Sequence, residues 1–176
     1  MSATTQVWQG DSPVGKPHYL GLLNFISLAE GDAGIYLRCW ASVTNDPELK
    51  STLEFVADRE STHGRVFRQR VERLGFSIRP REDPEQAERL KIYGDPALSD
   101  MDKLRWRMRD GGTDYGLEAD FAKVERTIVD ESVDALTRAT LSWYLAEERD
   151  TLALLRSAFI EVEKHHNRTN AGSQAA

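Results

Sequence analysis

The chain has 176 residues, of which 40% are hydrophobic and 30% are charged, and its formal net charge is −6. This length fits one domain with a sizeable core, and the composition is typical of globular proteins. The acidic balance, with no basic face, argues against a nucleic-acid-binding protein. The single cysteine, Cys39, excludes an internal disulfide and any zinc or iron site built from several cysteines.

The chain shows no signal for export or for membrane insertion. Residues 1–8 contain neither a basic start nor an apolar run, so we expect no secretion signal. No stretch approaches the ~20 apolar residues that a membrane-spanning helix needs. We therefore expect a cytoplasmic protein that contacts no membrane.

Two long helices are predicted in the first half. Residues 1–16 are polar and are expected to form a flexible lead, followed by a helix from about Pro17 to Val43. Asp46 suits a helix N-cap, and the next helix is predicted from Pro47 to Leu74, with Gly75 as its stop. Because the loop between them is short, the second helix must fold back antiparallel on the first.

The segment 76–113 is different in character, because it is rich in proline and glycine. Two short helices fit within it, one starting at Pro84 behind Asp83 and the other at Ser99, whose hydroxyl can cap the first turn. We therefore interpret this segment as a helical crossover connection and not as a second domain.

Two further helices are predicted in the second half, from about Asp114 to Asp130 and from about Ala135 to His165. Residues 167–176 are small and polar and are expected to be disordered. The sequence thus predicts an all-α protein with one domain over residues 17–166. Its architecture is an antiparallel four-helix bundle with a long helical crossover between helices 2 and 3.

Charged residues interrupt the apolar stripes of the first two helices. Glu30 occupies a core position of the first helix, and Glu60 and His63 occupy core positions of the second. A buried, unpaired carboxylate costs several kcal/mol, so a metal, a paired base or a raised pKa must compensate for it.

A metal ion meets this need directly. Glu60 and His63 are three residues apart and share one helix face, and an antiparallel hairpin brings Glu30 level with them. Oxygen donors with one imidazole suit iron or manganese, and zinc less exclusively. A Glu-x-x-His pair alone is a weak signal, and the position of all three residues on core stripes is what favours a metal site.

These residues resemble the ferritin-like superfamily, especially the rubrerythrin-type di-iron carboxylate proteins. The resemblance rests on Glu30, on the hairpin 45–50 and on Glu60-Ser61-Thr62-His63. The hairpin is also similar to that of encapsulated ferritins, which duplicate such a hairpin by dimerisation. The resemblance implies a di-iron site, with manganese as the other metal, and an oxidase, peroxidase or ferroxidase acting on ferrous iron, oxygen or peroxide. It also implies a homodimer or higher homo-oligomer and, because there is no rubredoxin domain, a separate electron donor.

The family pattern predicts a second glutamate and a second Glu-x-x-His pair from the last two helices. Aligning Glu30 with Glu118 also aligns Asp46 with Asp134 and Glu60 with Glu148. The predicted metal ligands are, taken together, Glu30, Glu60, His63, Glu118 and Glu148.

The second half departs from the family pattern, because the residue aligned with His63 is Thr151. A register one residue shorter offers Glu147 with Asp150 in place of Glu148. We prefer Glu148, since it keeps the apolar stripe of the last helix in phase. The missing histidine motivates an alternative function, in which a non-catalytic helical bundle with a degenerate metal site acts as an interaction or assembly module.

Several neighbours of the predicted ligands also matter. Tyr36 and Tyr144 lie within a turn or two of them. We favour core packing for both tyrosines, and the alternative is that one of them carries an electron or hydrogen-bonds a ligand. Arg59 and Arg149 are expected to face solvent. Gly31 and Gly34 weaken the first helix, and we expect them to permit close approach of another helix or access for a small oxidant.

Overall fold

The computed structural model describes residues 15–108 and 121–174, with side chains described as far as residue 169. Every regular element in these ranges is an α-helix, which confirms the all-α class. The six helices in chain order are α1 (Leu20–Val43), α2 (Pro47–Arg73), α3 (Gln86–Gly94), α4 (Asp100–Met108), α5 (Ala122–Val129) and α6 (Ala135–Gln174). None of them is long and apolar enough to cross a membrane.

The start and the stop of α2 follow the predicted capping chemistry. Asp46 Oδ1 accepts hydrogen bonds from the backbone N–H groups of Glu48 at 2.9 Å and Leu49 at 3.0 Å. Pro47 fills the first helical position, where no N–H is needed. Gly75 follows the helix with φ of +84°, a left-handed conformation that glycine adopts without strain. These local interactions determine where α2 begins and ends in the antiparallel α1–α2 hairpin.

Glycines bring the backbones of α1 and α2 into close contact beside the predicted ligands. A Cβ on Gly64 would lie 2.8 Å from the backbone nitrogen of Gly31, and a Cβ on Gly34 would lie 2.9 Å from the carbonyl oxygen of Ala57. Ser27 Oγ also donates to the carbonyl oxygen of Gly64 at 3.0 Å. The close approach expected near Gly31 and Gly34 is therefore observed, and Gly64 contributes to it from α2.

Residues 76–108 contain the two predicted short helices. Ser99 Oγ accepts a hydrogen bond from the backbone N–H of Asp102 at 3.1 Å and so caps α4, as the sequence predicts. Asp100, the first residue of α4, accepts a hydrogen bond from Trp40 Nε1 at 2.6 Å. On α3, Tyr93 stacks on Trp40 with 5.2 Å between ring centroids. Trp40 of α1 thus contacts both short helices, and Tyr36 of α1 stacks on Tyr93 as well, with 5.3 Å between ring centroids.

Several helix boundaries differ from the prediction or lie partly outside the described residues, and α3 begins at Gln86, two residues after the predicted start at Pro84. A turn at residues 17–19 precedes α1, so this helix begins at Leu20. The predicted third helix is described only as α5, because residues 114–120 lie outside the described ranges. The last helix, α6, continues beyond the predicted end at His165 to Gln174. Each added residue of an existing helix gains a backbone hydrogen bond, and no proline interrupts the segment.

Two apolar clusters fill the interior at different heights along α1, α2 and α6. One cluster includes Leu37, Trp40, Leu53, Val56, Leu155 and Phe159. The other includes Leu23, Ile26, Phe67, Val71, Leu141 and Leu145. In all three helices, the buried residues between the clusters include the polar ones that the sequence singles out. A polar layer therefore crosses the interior between two apolar layers.

Candidate metal centre

Four ionisable side chains meet in this polar layer. They are Glu30 on α1, Glu60 and His63 on α2, and Glu148 on α6, and one donor atom from each lies within 4.8 Å of the others. Only 9%, 3%, 0% and 9% of their respective surfaces are exposed. Four of the five residues predicted as ligands thus lie together, and they come from three helices.

The imidazole of His63 is surrounded by carboxylates. Its Nδ1 lies 3.1 Å from Glu148 Oε1 and 3.4 Å from Glu60 Oε2, and both of these residues belong to the cluster. Its Nε2 lies 2.8 Å from Glu147 Oε2, on the other side of the ring. Trp143 packs against the ring in a T-shaped contact with 4.9 Å between centroids. The ring is therefore fixed in position, with Nδ1 towards the cluster.

Tyr144 belongs to the site through its hydroxyl, which donates to Glu30 Oε1 at 2.6 Å. Burial raises the pKa of Tyr144, and the negative charge of Glu30 raises it further. The phenol therefore keeps its proton and remains a donor to the carboxylate. The sequence favours a packing role for this residue, and the structure shows both packing and a hydrogen bond to a predicted ligand.

Burial and mutual contact shift the pKa values of all four cluster residues. Burial raises the pKa of Glu30 well above its ordinary value, and the adjacent Glu60 raises it further. Burial also raises the pKa of Glu148. For Glu60, burial opposes ionisation, but hydrogen bonds with His63 and Glu30 outweigh it and lower the pKa. Burial likewise opposes the charged form of His63, yet Glu148 and Glu60 outweigh it and raise the pKa to about 10.

The cluster fits a metal ion in two respects, the types of its donor atoms and a buried carboxylate oxygen that lacks a hydrogen bond. Glu148 Oε1 is buried and accepts no hydrogen bond from the described residues, although it lies beside His63 Nδ1. Donors around one ion at ~2.2 Å lie at most ~4.4 Å apart. The observed spread of 4.8 Å therefore needs to contract by a few tenths of an ångström, or the donors divide between two ions. Carboxylates with one imidazole suit iron, manganese or zinc.

Arg59 sets the position of α6 against α2. Its Nη1 donates to the backbone oxygen of Glu147 at 3.2 Å, to Asp150 Oδ2 at 2.8 Å and to Thr151 Oγ1 at 3.0 Å. Only 15% of the Arg59 side chain is exposed, so the expectation that it faces solvent is wrong. Because Arg59 precedes His63 by one helical turn, it shares the face that packs on α6.

The remaining candidates fall into three groups. Asp150 pairs with Arg59 and takes no part in the cluster, while Glu147 contacts the far nitrogen of His63. Arg149 is exposed and pairs with Glu125 at 2.6 Å, as expected for a solvent-facing residue. Glu118 lies outside the described residues and stays a prediction. The sequence suggests Glu147 only as a substitute ligand, because a repeat register one residue shorter places it where Glu148 stands.

Comparisons with known proteins add no identification. No known protein family, curated protein or solved structure shows significant similarity to the chain. The site therefore has to be interpreted from its own chemistry. It consists of a buried group of three glutamates and one histidine that could hold a metal ion.

Proposed function

We propose that this chain is a ferritin-like metalloprotein that holds iron in the cluster of Glu30, Glu60, His63 and Glu148. In this proposal α1, α2, α6 and a third helix that includes α5 form the antiparallel four-helix bundle. The segment with α3 and α4 is the long crossover between the second and third helices. The function is oxidation of ferrous iron, or reduction of oxygen or peroxide, at a di-iron site.

The observation that carries the proposal is the convergence of four buried donors from three helices. Three carboxyl groups with one imidazole are costly to bury together, because at most one of the four groups is a cation. A divalent or trivalent cation removes this cost and also supplies a partner for Glu148 Oε1, which accepts no hydrogen bond from the described residues. Surface acidic clusters have no such need, since water solvates them.

The residues of the chain have distinct roles in this proposal. The three glutamates and His63 bind the metal, and Tyr144 fixes the orientation of the Glu30 carboxylate by donating to Oε1. Glu118 would complete the donors for a second ion. When bound, iron supplies the change between ferrous and ferric states that oxygen or peroxide chemistry requires. The electrons come from a separate donor protein or from ferrous iron itself, and a homo-oligomer is the expected assembly.

Anaerobic loading with ferrous ion followed by elemental analysis tests the proposal. Wild-type protein is expected to retain iron after desalting, and Glu60→Ala is expected to lose most of it. Glu54→Ala is a matched control on the same helix, because Glu54 is exposed and lies away from the cluster. Wild-type protein without iron, or equal iron in both variants, would contradict the proposal.

A second function is favoured by a specific observation, namely that the cluster residues also pair with one another. His63 contacts Glu60, Glu147 and Glu148, and these contacts compensate part of the buried charge without a metal. This is the arrangement expected of a non-catalytic bundle that serves assembly or interaction. In that case Glu60→Gln leaves stability unchanged or higher, and ferrous or manganous ion does not raise the melting temperature.

A further inference from the structure

The two ring nitrogens of His63 have different surroundings. Nδ1 faces the cluster through Glu148 and Glu60, whereas Nε2 lies 2.8 Å from Glu147 Oε2, its one polar partner among the described residues. Glu147 is 34% exposed in its side chain and is not one of the four converging residues. The neighbouring glutamates 147 and 148 therefore approach opposite sides of one imidazole.

We propose that Glu147 is a positioning residue, which holds the proton of His63 on Nε2 and so presents Nδ1 to the metal. The proposal rests on the function proposed above. An imidazole that binds a metal through one nitrogen carries its remaining proton on the other nitrogen, and a carboxylate acceptor fixes that arrangement. Without Glu147, the ring would lose the acceptor that fixes which nitrogen is free.

The backbone around Glu147 is anchored in a way that suits this role. Arg59 donates to the backbone oxygen of Glu147 and to the side chains of Asp150 and Thr151 one turn later. Both Arg59 and His63 belong to α2, so the helix that carries the imidazole also holds the helix that carries its acceptor. The distance between His63 and Glu147 is thereby set by two contacts between the same pair of helices.

The competing role for Glu147 is that of a metal ligand in place of Glu148. Since Nε2 is the nitrogen that faces Glu147, an ion bound by Glu147 would also be bound by Nε2 of His63. An ion bound by Glu148 and Glu60 would be bound by Nδ1 instead. The identity of the coordinating nitrogen therefore separates the two roles, whatever the activity of the protein.

The test uses full-length protein labelled with ¹⁵N-histidine and loaded with zinc, a diamagnetic probe. Nitrogen chemical shifts identify the metal-bound and the protonated nitrogen of each ring, and a His63→Asn variant assigns the His63 signals. The expected result is Nδ1 bound to zinc and Nε2 protonated. Nε2 bound to zinc would overturn the proposal.

Ferrous affinity, measured anaerobically by competition with a chelator, provides the second readout. Glu147→Ala is expected to weaken binding by about 10- to 100-fold, the usual effect of losing such a carboxylate. Glu147→Gln keeps an acceptor oxygen and is expected to bind within about threefold of wild type. Glu161→Ala, an exposed change on the same helix, is the control and is expected to have no effect.

The outcomes separate the two proposals. If wild-type protein binds ferrous ion and Glu147→Ala binds it as tightly as Glu161→Ala does, the positioning role is wrong and the proposed function stands. If wild-type protein binds neither ferrous ion nor zinc, both proposals are wrong.

Discussion

The contribution of a single side-chain hydrogen bond to the free energy of unfolding depends on whether water can replace its donor. Tyr144 donates to the buried Glu30, so Tyr144→Phe leaves that carboxyl oxygen without its donor. We expect this change to lower the free energy of unfolding by about 1–3 kcal/mol. Urea denaturation of the two proteins, followed by circular dichroism, measures the difference.

Tyr19→Phe is the matched control for this prediction. Tyr19 also donates to a carboxylate, Asp134, at 2.9 Å, but the Asp134 side chain is 39% exposed. Water can therefore replace the lost donor, and we expect a cost below about 1 kcal/mol. Equal losses in the two variants would show that burial of Glu30 does not determine the value of its hydrogen bond.

The residues of the site could be predicted to different extents. Glu30, Glu60 and His63 follow from helical periodicity alone, because each interrupts an apolar stripe that must face the interior. Glu148 required the internal repeat as well, which leaves Glu147 open, and the phase of the apolar stripe in the last helix then favours Glu148. The contacts of Arg59 could not be predicted, because they depend on how α2 and α6 are rotated against each other.

At the scale of helices, the approach of α1 to α2 depends on small residues at their contact. A Cβ on Gly34 would meet the Ala57 carbonyl oxygen at 2.9 Å, while a Cβ on Gly31 would meet no atom of the described residues within 4 Å. We expect Gly34→Ala to destabilise the protein by about 1–3 kcal/mol, because two backbones would have to separate. Gly31→Ala should instead stabilise it by up to ~1 kcal/mol through helix propensity.

Thermal unfolding of these two variants gives the comparison directly, because both carry the same substitution on the same helix. A loss of stability in Gly31→Ala as large as that in Gly34→Ala would contradict the prediction. Gly34→Ala is also expected to bind ferrous ion more weakly, since separating α1 from α2 moves Glu30 away from Glu60.

The helix boundaries show which parts of the fold are encoded locally. The starts of α2 and α4 could be predicted because Asp46 and Ser99 bond to backbone groups only two or three residues away. The end of α6 could not, because residues 167–174 are small and polar and predict an earlier end, whereas the extension of an existing helix is cooperative. The pairing of whole helices was predicted from loop length, which fixes direction but not rotation.

At the scale of the whole molecule, Asp134 links the starts of α1 and α6 to α2. It accepts hydrogen bonds from Tyr19 and Thr137 and pairs with Arg70 at 2.7 Å. Burial opposes ionisation of Asp134, but the bonds from Thr137, Tyr19 and Arg70 outweigh it and lower the pKa below its ordinary value. The ionised carboxylate therefore stabilises the folded protein above the ordinary aspartate pKa, and this stabilisation is lost as the pH falls towards the folded-state pKa.

Asp134→Asn tests this dependence, because asparagine caps a helix as well as aspartate does but carries no charge. We expect wild type to be more stable than the variant by about 1 kcal/mol at pH 7, a value reduced for the partial exposure of Asp134. The difference should shrink as the pH falls below ~5, near and below the ordinary aspartate pKa of ~3.9. Urea denaturation at a series of pH values measures it, and a difference that is constant from pH 7 to pH 3 would contradict the assignment.

Metal binding should couple the polar layer to the stability of the whole chain. An ion that binds only the folded protein at a concentration of about 100 times its Kd adds about 2.7 kcal/mol to the free energy of unfolding. For a chain of this length, that corresponds to a rise in melting temperature of about 5–11 °C. We expect this rise with anaerobic ferrous ion and expect Glu148→Gln to abolish most of it, because the Glu148 carboxylate lies within the cluster.

Asp134→Asn is the control. It should melt at a lower temperature yet show the same rise, since Asp134 is remote from the cluster in the bonding network of the described residues. A wild-type melting temperature that ferrous and manganous ions leave unchanged would favour the non-catalytic bundle over the iron protein.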